Sequence, residues 1–145
     1  MENLSKMEIS KQAIIGAVVT LIGMVLIQYF FFRSPSIDET MMKAASEFSK
    51  NCPIMLDSVT RLDNAISLPN KTFQFNLTFV NGYKDSIDIE NIKEILKPKI
   101  INFVKSNPDL KMFRERSIKL VYYYSDKEGN FMFKILAGPN EYNTP

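Results

Sequence analysis

Apolar side chains are most concentrated near the start of the chain, where residues 13–32 include no charged residue. This run of twenty residues reads AIIGAVVTLIGMVLIQYFFF and is flanked by Lys11 and Arg33. A helix rises about 1.5 Å per residue, so a run of this length covers the roughly 30 Å hydrocarbon core of a bilayer. The pattern predicts a transmembrane helix at residues 13–33, preceded by a short leader at residues 1–12.

We interpret this run as an uncleaved anchor rather than a signal peptide. Signal peptides have an apolar region of about 7 to 15 residues followed by small residues at the cut, whereas this run is longer and ends in Tyr29 and three phenylalanines. Basic residues on the two flanks are nearly balanced, so the orientation depends on the short leader, which is typical of a signal anchor. We therefore predict a single-pass inner-membrane protein with its C-terminal domain in the periplasm or another extracytoplasmic space.

Small residues share one side of the predicted span. Gly16, Thr20 and Gly23 lie three or four positions apart. Because small residues let two helix backbones approach closely in lipid, the stripe predicts a face that pairs with a second copy or with another membrane protein. Glycine is also frequent in spans that have no such role, and both interpretations stay open.

After residue 35 the apolar positions follow a helical period and then a strand period. Ser36 and Glu39 match a capping box, in which the two side chains and two backbone amides bond reciprocally, and the predicted helix runs to about Lys50. At residues 71–81, phenylalanine and leucine alternate with polar side chains, which is typical of a strand with one buried face. The apolar positions of that strand are Phe73, Phe75, Leu77 and Phe79.

Weaker patterns complete the series of elements. Further strands are predicted within residues 58–68, 118–124 and 131–135, and a second helix begins near Asp88. The order is therefore α-β-β-α-β-β, and hairpin connections together with one apolar face per strand predict a two-layer α+β domain. We predict an antiparallel four-stranded sheet with the helices on one face at residues 36–137, followed by a polar tail at residues 138–145.

Composition excludes several classes of function. The chain has no histidine and one cysteine, which excludes a serine–histidine triad, a histidine-ligated metal site and an internal disulfide. The net charge of +2 is too small to indicate nucleic-acid binding. We predict no cofactor and no metal site, and no catalytic residue is assigned. Abundant lysine, asparagine and isoleucine indicate AT-rich coding and a bacterial source.

Two acidic residues form the best candidate for carboxylate chemistry. Asp57, Arg61 and Asp63 have the same parity, so on one strand they would share a face. The carboxylates of Asp57 and Asp63 could bind a cation or act in acid–base hydrolysis. The alternative is an arginine–aspartate ion pair on the wet side of the strand.

Two further features indicate surface contacts. Tyr123 is the middle residue of a tyrosine triplet, so on a strand it faces away from its neighbours and could contact a partner. Residues 93–119 carry eight basic and three acidic side chains, an excess that could attract anionic lipid headgroups. A solvated helix face explains the same excess.

Several motifs together resemble a group of small bacterial proteins of unknown activity, each with one N-terminal apolar segment and a short α+β domain. The motifs are PIMLDSVTRLD at residues 53–63, LPNKTF at 68–73, NPDL at 107–110, and the tyrosine triplet at 122–124 with Asp126 and Gly129 after it. The resemblance implies residence in the cell envelope and a shared fold. It implies no activity and no functional residue.

The preferred hypothesis is a membrane-anchored, non-catalytic module that binds or assembles another membrane or envelope protein. Its predicted contacts are the exposed edge of the sheet and the segment that includes Asp57, Thr60, Arg61 and Asp63, with Tyr123 as a separate contact. One alternative is a carboxylate-dependent hydrolase or cation-binding protein, and another is a protein that binds anionic lipid surfaces.

Overall fold

The computed structural model describes residues 36–143. The predicted leader, the span at residues 13–33 and its Gly16, Thr20 and Gly23 stripe lie outside the described residues. Among the helices within residues 36–143, none combines the length and the apolar character needed to cross a membrane.

The described part of the chain forms helices and strands in mixed order. The helices are α1 (Ile37–Lys50), α2 (Ile89–Ser106), α3 (Lys111–Glu115) and α4 (Pro139–Tyr142). The strands are β1 (Ile54–Met55), β2 (Thr60–Leu68), β3 (Thr72–Phe79), β4 (Lys119–Ser125) and β5 (Phe131–Ala137). Short 3-10 turns at Lys84–Ser86 and Pro108–Leu110 precede α2 and α3.

The sheet corrects the predicted topology in two respects. It has five strands in the order β1-β2-β3-β4-β5, and the prediction of four was wrong because β1 has only two residues and gives no periodic signal. The prediction of a fully antiparallel sheet was also wrong, since β3 and β4 pair in parallel while the other neighbours are antiparallel. Helix α2 connects β3 to β4, and a crossover of this length lets the chain return to the same end of the sheet.

The hydrophobic core lies between one face of the sheet and the helices, as predicted for a two-layer α+β domain. Alternate residues of β3 and β4 are buried, while their neighbours face the other side. The buried set includes Met41, Ala45, Phe73, Phe75, Leu77, Ile100, Val104, Phe113, Leu120 and Tyr124. We call this side of the sheet the inner face and the opposite side the outer face.

The predicted start of α1 is confirmed in atomic detail. Ser36 has extended backbone angles, and its hydroxyl oxygen accepts a hydrogen bond from the amide of Glu39 at 3.1 Å. Lys43 and Lys50 form ion pairs with glutamates one turn earlier on the exposed side of the helix. The cap and the buried Met41 and Ala45 therefore determine where α1 begins and which side it buries.

The end of α3 is closed by a Schellman motif that has serine in the position usually taken by glycine. The amide of Ile118 donates to the carbonyl of Phe113 at 2.9 Å, and the amide of Ser117 donates to the carbonyl of Arg114 at 3.1 Å. Ser117 has a φ of 54°, in the left-handed region that is costly for a residue with a Cβ.

We expect Ser117→Gly to stabilise the domain by about 0.5–1 kcal/mol, because glycine adopts this conformation without the steric cost. Chemical unfolding followed by circular dichroism measures the change. Ser106→Gly is the control and should not stabilise, because Ser106 is the last residue of α2 and is not among the residues with positive φ. A lower free energy of unfolding for Ser117→Gly would contradict the left-handed conformation of Ser117.

The predicted polar tail contains an ordered helix. Gly138 and Pro139 begin α4, and the amide of Gly138 donates to the Glu141 carboxylate at 3.0 Å. Tyr142 is buried, and its hydroxyl donates to the carbonyl of Ile118 at 2.6 Å. Burial raises the pKa of Tyr142 to about 12. Residues 138–143 are thus part of the folded domain.

Candidate interaction surface

An apolar depression lies on the helical side of the domain. Phe48 of α1 and Phe103 of α2 line it together with Leu56, which follows β1, and Leu110. Its floor is formed by residues of the three neighbouring strands β2, β3 and β4, namely Leu62, Phe75, Leu77 and Tyr122. We call this depression and its rim the apolar groove; the depression has a volume of about 170 Å³.

The groove continues along the surface towards β1. A second depression shares Phe48, Leu56 and Leu62 with the first and adds Ile54 and Glu47. Large apolar side chains are exposed along this path, with Ile54 46%, Leu56 56% and Phe103 51% exposed. Exposed apolar patches are common at surfaces that bind other molecules, and this path is therefore the candidate contact surface.

Tyr122 contributes to the floor of the groove, and its hydroxyl is buried without a hydrogen-bond partner in the described domain. Tyr122 is 8% exposed and its ring packs against Phe75 with a centroid distance of 5.2 Å. Within residues 36–143, no group is hydrogen-bonded to its buried hydroxyl oxygen. Burial, and secondarily Tyr124, raises the pKa of Tyr122 well above its ordinary value, so the phenol stays protonated and able to donate.

The wall of the groove that follows α2 is held in place by hydrogen bonds between side chains and the backbone. Arg114 donates from Nη1 to the carbonyls of Val104 and Asn107, both at 2.7 Å. The Asn107 side chain accepts from the amide of Asp109 at 2.8 Å, which caps the following turn. These bonds position Leu110 and the exposed Asp109 at one edge of the groove.

Asp57 and Thr60 shape the turn between β1 and β2. One carboxylate oxygen of Asp57 accepts from the amides of Val59 at 2.8 Å and Thr60 at 2.7 Å. The bond from Val59 is the main cause that lowers the pKa of Asp57, so the carboxylate stays ionised. Thr60 is buried and its carbonyl accepts from the amide of Leu56 at 2.9 Å, which sets the position of Leu56 beside the groove.

Arg61 and Asp63 lie together on the outer face. Arg61 donates from Nε to one oxygen of Asp63, and the hydroxyl of Thr78 on β3 donates to the other, each at 2.5 Å. A β-bulge at Asp63 interrupts the pairing between β2 and β3 and turns this side chain towards Arg61 and Thr78. The oxygens of Asp57 and Asp63 therefore have separate hydrogen-bond partners.

Tyr123 also lies on the outer face, two strands from Arg61. Its ring contacts that of Phe131 on β5 with a centroid distance of 4.9 Å. Between them on the sheet, Asn64, Asn76 and Gln74 form a chain of side-chain hydrogen bonds of 2.6 and 2.7 Å. The outer face is thus a mostly polar surface with one aromatic pair, separate from the apolar groove.

Three of the eight basic residues at positions 93–119 form ion pairs with nearby carboxylates. Lys93 pairs with Glu90 at 3.2 Å, Lys97 with Glu141 at 2.8 Å, and Lys111 with Glu115 at 3.6 Å. Paired lysines attract anionic headgroups less strongly than free ones, so these three ion pairs reduce the basic excess without deciding between lipid attraction and a solvated face.

A family model for a domain of unknown function, DUF8479, matches residues 36–133 of the chain. The chain belongs to this family. The match spans the described domain from the first residue of the α1 cap into β5. A search of curated proteins finds no match.

Solved structures show which folds the DUF8479 domain resembles. PA3611, a candidate secreted protein of Pseudomonas aeruginosa, has a TM-score of 0.62 at 12% identity, covering 72% of this chain and 91% of that chain. The pilotin EpsS of the Vibrio vulnificus type 2 secretion system has a TM-score of 0.58 at 10% identity, covering 75% and 93%. The pilotin AspS of the Vibrio cholerae type II secretion system has a TM-score of 0.55 at 14% identity, covering 72% and 91%.

The groove of the DUF8479 domain was not predicted from the sequence. Ile100, Phe103 and Val104 have the ordinary spacing of one buried helical stripe, yet Phe103 is half exposed. No signal in the sequence therefore indicated the exposure of Phe103. Leu56 gave no signal, since its exposure depends on the turn that Asp57 and Thr60 form.

Proposed function

We propose that the domain at residues 36–143 is a non-catalytic module that binds another protein of the cell envelope, and that the apolar groove is its contact surface. The observation that carries the proposal is the exposure of Ile54, Leu56 and Phe103 along one continuous groove. Such exposure has a cost in water and is retained where a partner covers it.

The structural neighbours support this proposal. Two of them are pilotins of type II secretion systems and a third is a candidate secreted protein, so the same fold occurs in proteins connected with secretion. We extend their setting to this chain and propose that its domain works outside the cytoplasm, tethered to the inner membrane by the apolar run at residues 13–33.

In-cell photocrosslinking with the full-length chain tests the partner. A p-benzoylphenylalanine replaces Phe103 on the groove or, as the control, Leu136 on the outer face, which is exposed to a similar degree at 47%. We expect residue 103 to crosslink reproducibly to one envelope protein that residue 136 does not capture. Crosslinks from residue 136 alone would contradict the groove as contact surface, and discrete crosslinks from neither position would contradict the interaction role.

A further inference from the structure

Strand β5 forms the long edge of the sheet. The sheet ends in β1 on one side and in β5 on the other, and β1 has two residues whereas β5 has seven. An edge strand presents unpaired backbone N–H and C=O groups, to which an extended segment of another protein can add as a further strand. The edge contact expected from the sequence is therefore best sought at β5.

The pairing of β4 shows which backbone groups of β5 are free. The amide of Lys119 donates to the carbonyl of Lys71 beside β3, so the odd-numbered residues of β4 point their backbone groups towards β3. The even-numbered residues of β4 then bond to the odd-numbered residues of β5, such as Ile135. Lys134 and Leu136 consequently direct their backbone N–H and C=O groups away from the sheet.

The free edge is accessible at these two residues. Leu136 is 47% exposed, and Lys134 is exposed as well. Within residues 36–143, no hydrogen bond outside the ladder between β4 and β5 involves the backbone of either residue. A depression of about 520 Å³ lies beside them, bordered by β5, α2 and the first turn of α4. It leaves room for the side chains of one added strand.

The charge around this depression distinguishes between possible occupants. Lys93, Lys97, Lys119 and Lys134 all line it. The first two have glutamate partners, while within the described domain Lys119 and Lys134 form no ion pair. Like charges on neighbouring strands destabilise their pairing, so the same edge of a second copy meets repulsion. Lysines on edge strands commonly prevent such self-association, and an acidic strand meets attraction instead.

We propose that the free edge of β5 binds an extended acidic segment of a partner protein as an additional strand. Backbone hydrogen bonds to Lys134 and Leu136 hold the segment. Its carboxylates lie on the outer face beside Lys119 and Lys134, and its alternate side chains lie next to Ile135 in the depression. The floor of the apolar groove comes from β2, β3 and β4, so this second surface goes beyond the proposed function.

An acidic peptide with high strand propensity tests this surface. The probe is rhodamine-Thr-Val-Glu-Val-Glu-Val-Thr-amide, titrated with the full-length chain in phosphatidylcholine nanodiscs and followed by fluorescence anisotropy, with empty nanodiscs as the blank. Valine and threonine favour an extended backbone, and the alternation places both glutamates on one side. We expect saturable binding that weakens at higher salt. The peptide with lysine in place of both glutamates should bind about tenfold more weakly.

Two matched comparisons separate strand addition from general attraction to positive charge. N-methylation of the central valine and both glutamates keeps the carboxylates of the probe but removes backbone donors, and should weaken binding by about tenfold or more. Lys134→Glu should weaken the unmodified probe by about threefold to tenfold. Lys99→Glu makes the same charge change on an exposed part of α2 outside the depression and should change binding by less than about twofold.

Three results would overturn the inference. The first is the absence of saturable binding at millimolar concentration, and the second is an equal effect of Lys134→Glu and Lys99→Glu. The third is equal binding of the N-methylated probe, which would indicate a site for anions or lipid headgroups instead of a strand.

Crosslinking from residue 103 tests the apolar groove, so either proposal can fail while the other holds. A protein that residue 136 captures in cells is expected to be the partner of the β5 edge and to differ from the protein captured at the groove.

Discussion

Replacing Phe73 with alanine should destabilise the domain by about 3–5 kcal/mol, which is a large fraction of the total stability of a small domain. Phe73 is 0% exposed, and its ring meets three others at centroid distances of 6.0 Å for Phe48, 5.1 Å for Phe75 and 4.7 Å for Phe113. These rings come from α1, β3 and α3, so truncation leaves a cavity where three elements meet.

Chemical unfolding of the full-length chain, followed by circular dichroism, measures this loss. Phe131→Ala is the control, since this phenylalanine is 43% exposed on the outer face, and it should cost less than about 1 kcal/mol. Phe73→Leu should fall between the two because it keeps much of the volume. Equal costs for Phe73→Ala and Phe131→Ala would show that this ring cluster does not organise the core.

The local parts of the fold could be predicted because their causes are local. The bounds of α1 follow from the Ser36 cap and an apolar stripe, and the strand predicted at residues 71–81 is β3 at Thr72–Phe79. Alternation in β4 placed Tyr122 and Tyr124 inward and Tyr123 outward, and the burial of the three side chains agrees. Each of these features depends on neighbours a few residues apart.

The pairing of β3 with β4 could not be obtained from alternation, because periodicity does not distinguish parallel from antiparallel neighbours. The β3-α2-β4 order did contain the information, since a strand followed by a long helix and a second strand favours a parallel crossover. Proline inside a helix usually kinks or ends it, yet α2 includes Pro98 without ending. Pro98 and Glu94, whose carbonyl loses its amide partner, are both exposed, so water can satisfy that oxygen.

The candidate site depends on tertiary packing more than on any motif. The segment that includes Asp57, Thr60, Arg61 and Asp63 was predicted as a contact surface, and within the domain its side chains complete a turn and an ion pair. The segment nevertheless borders the proposed site, because the turn at Asp57 positions Leu56 on one wall of the groove. Whether these residues touch a partner stays a prediction, as does a contact at Tyr123.

The second prediction with a large expected effect concerns Tyr142 in α4. Tyr142 is 3% exposed, and its hydroxyl donates to the carbonyl of Ile118 at 2.6 Å and contacts that of Phe113 at 3.5 Å. It thereby ties α4 to the end of α3 and to the start of β4. Pro139 at the first turn of α4 was a sequence signal for a helix, but the hydrophilic composition of residues 138–145 concealed it.

We expect Tyr142→Ala to destabilise the domain by about 3–5 kcal/mol, since it removes a buried ring and leaves the Ile118 carbonyl without its donor. Tyr142→Phe keeps the ring and should cost about 1–2 kcal/mol. Asn140→Ala on the exposed side of the same helix is the matched control and should change stability by less than about 0.5 kcal/mol.

Chemical unfolding of the full-length variants separates the three cases. If Tyr142→Ala proves as stable as Asn140→Ala, residues 138–143 do not contribute to the folded domain and the prediction is contradicted.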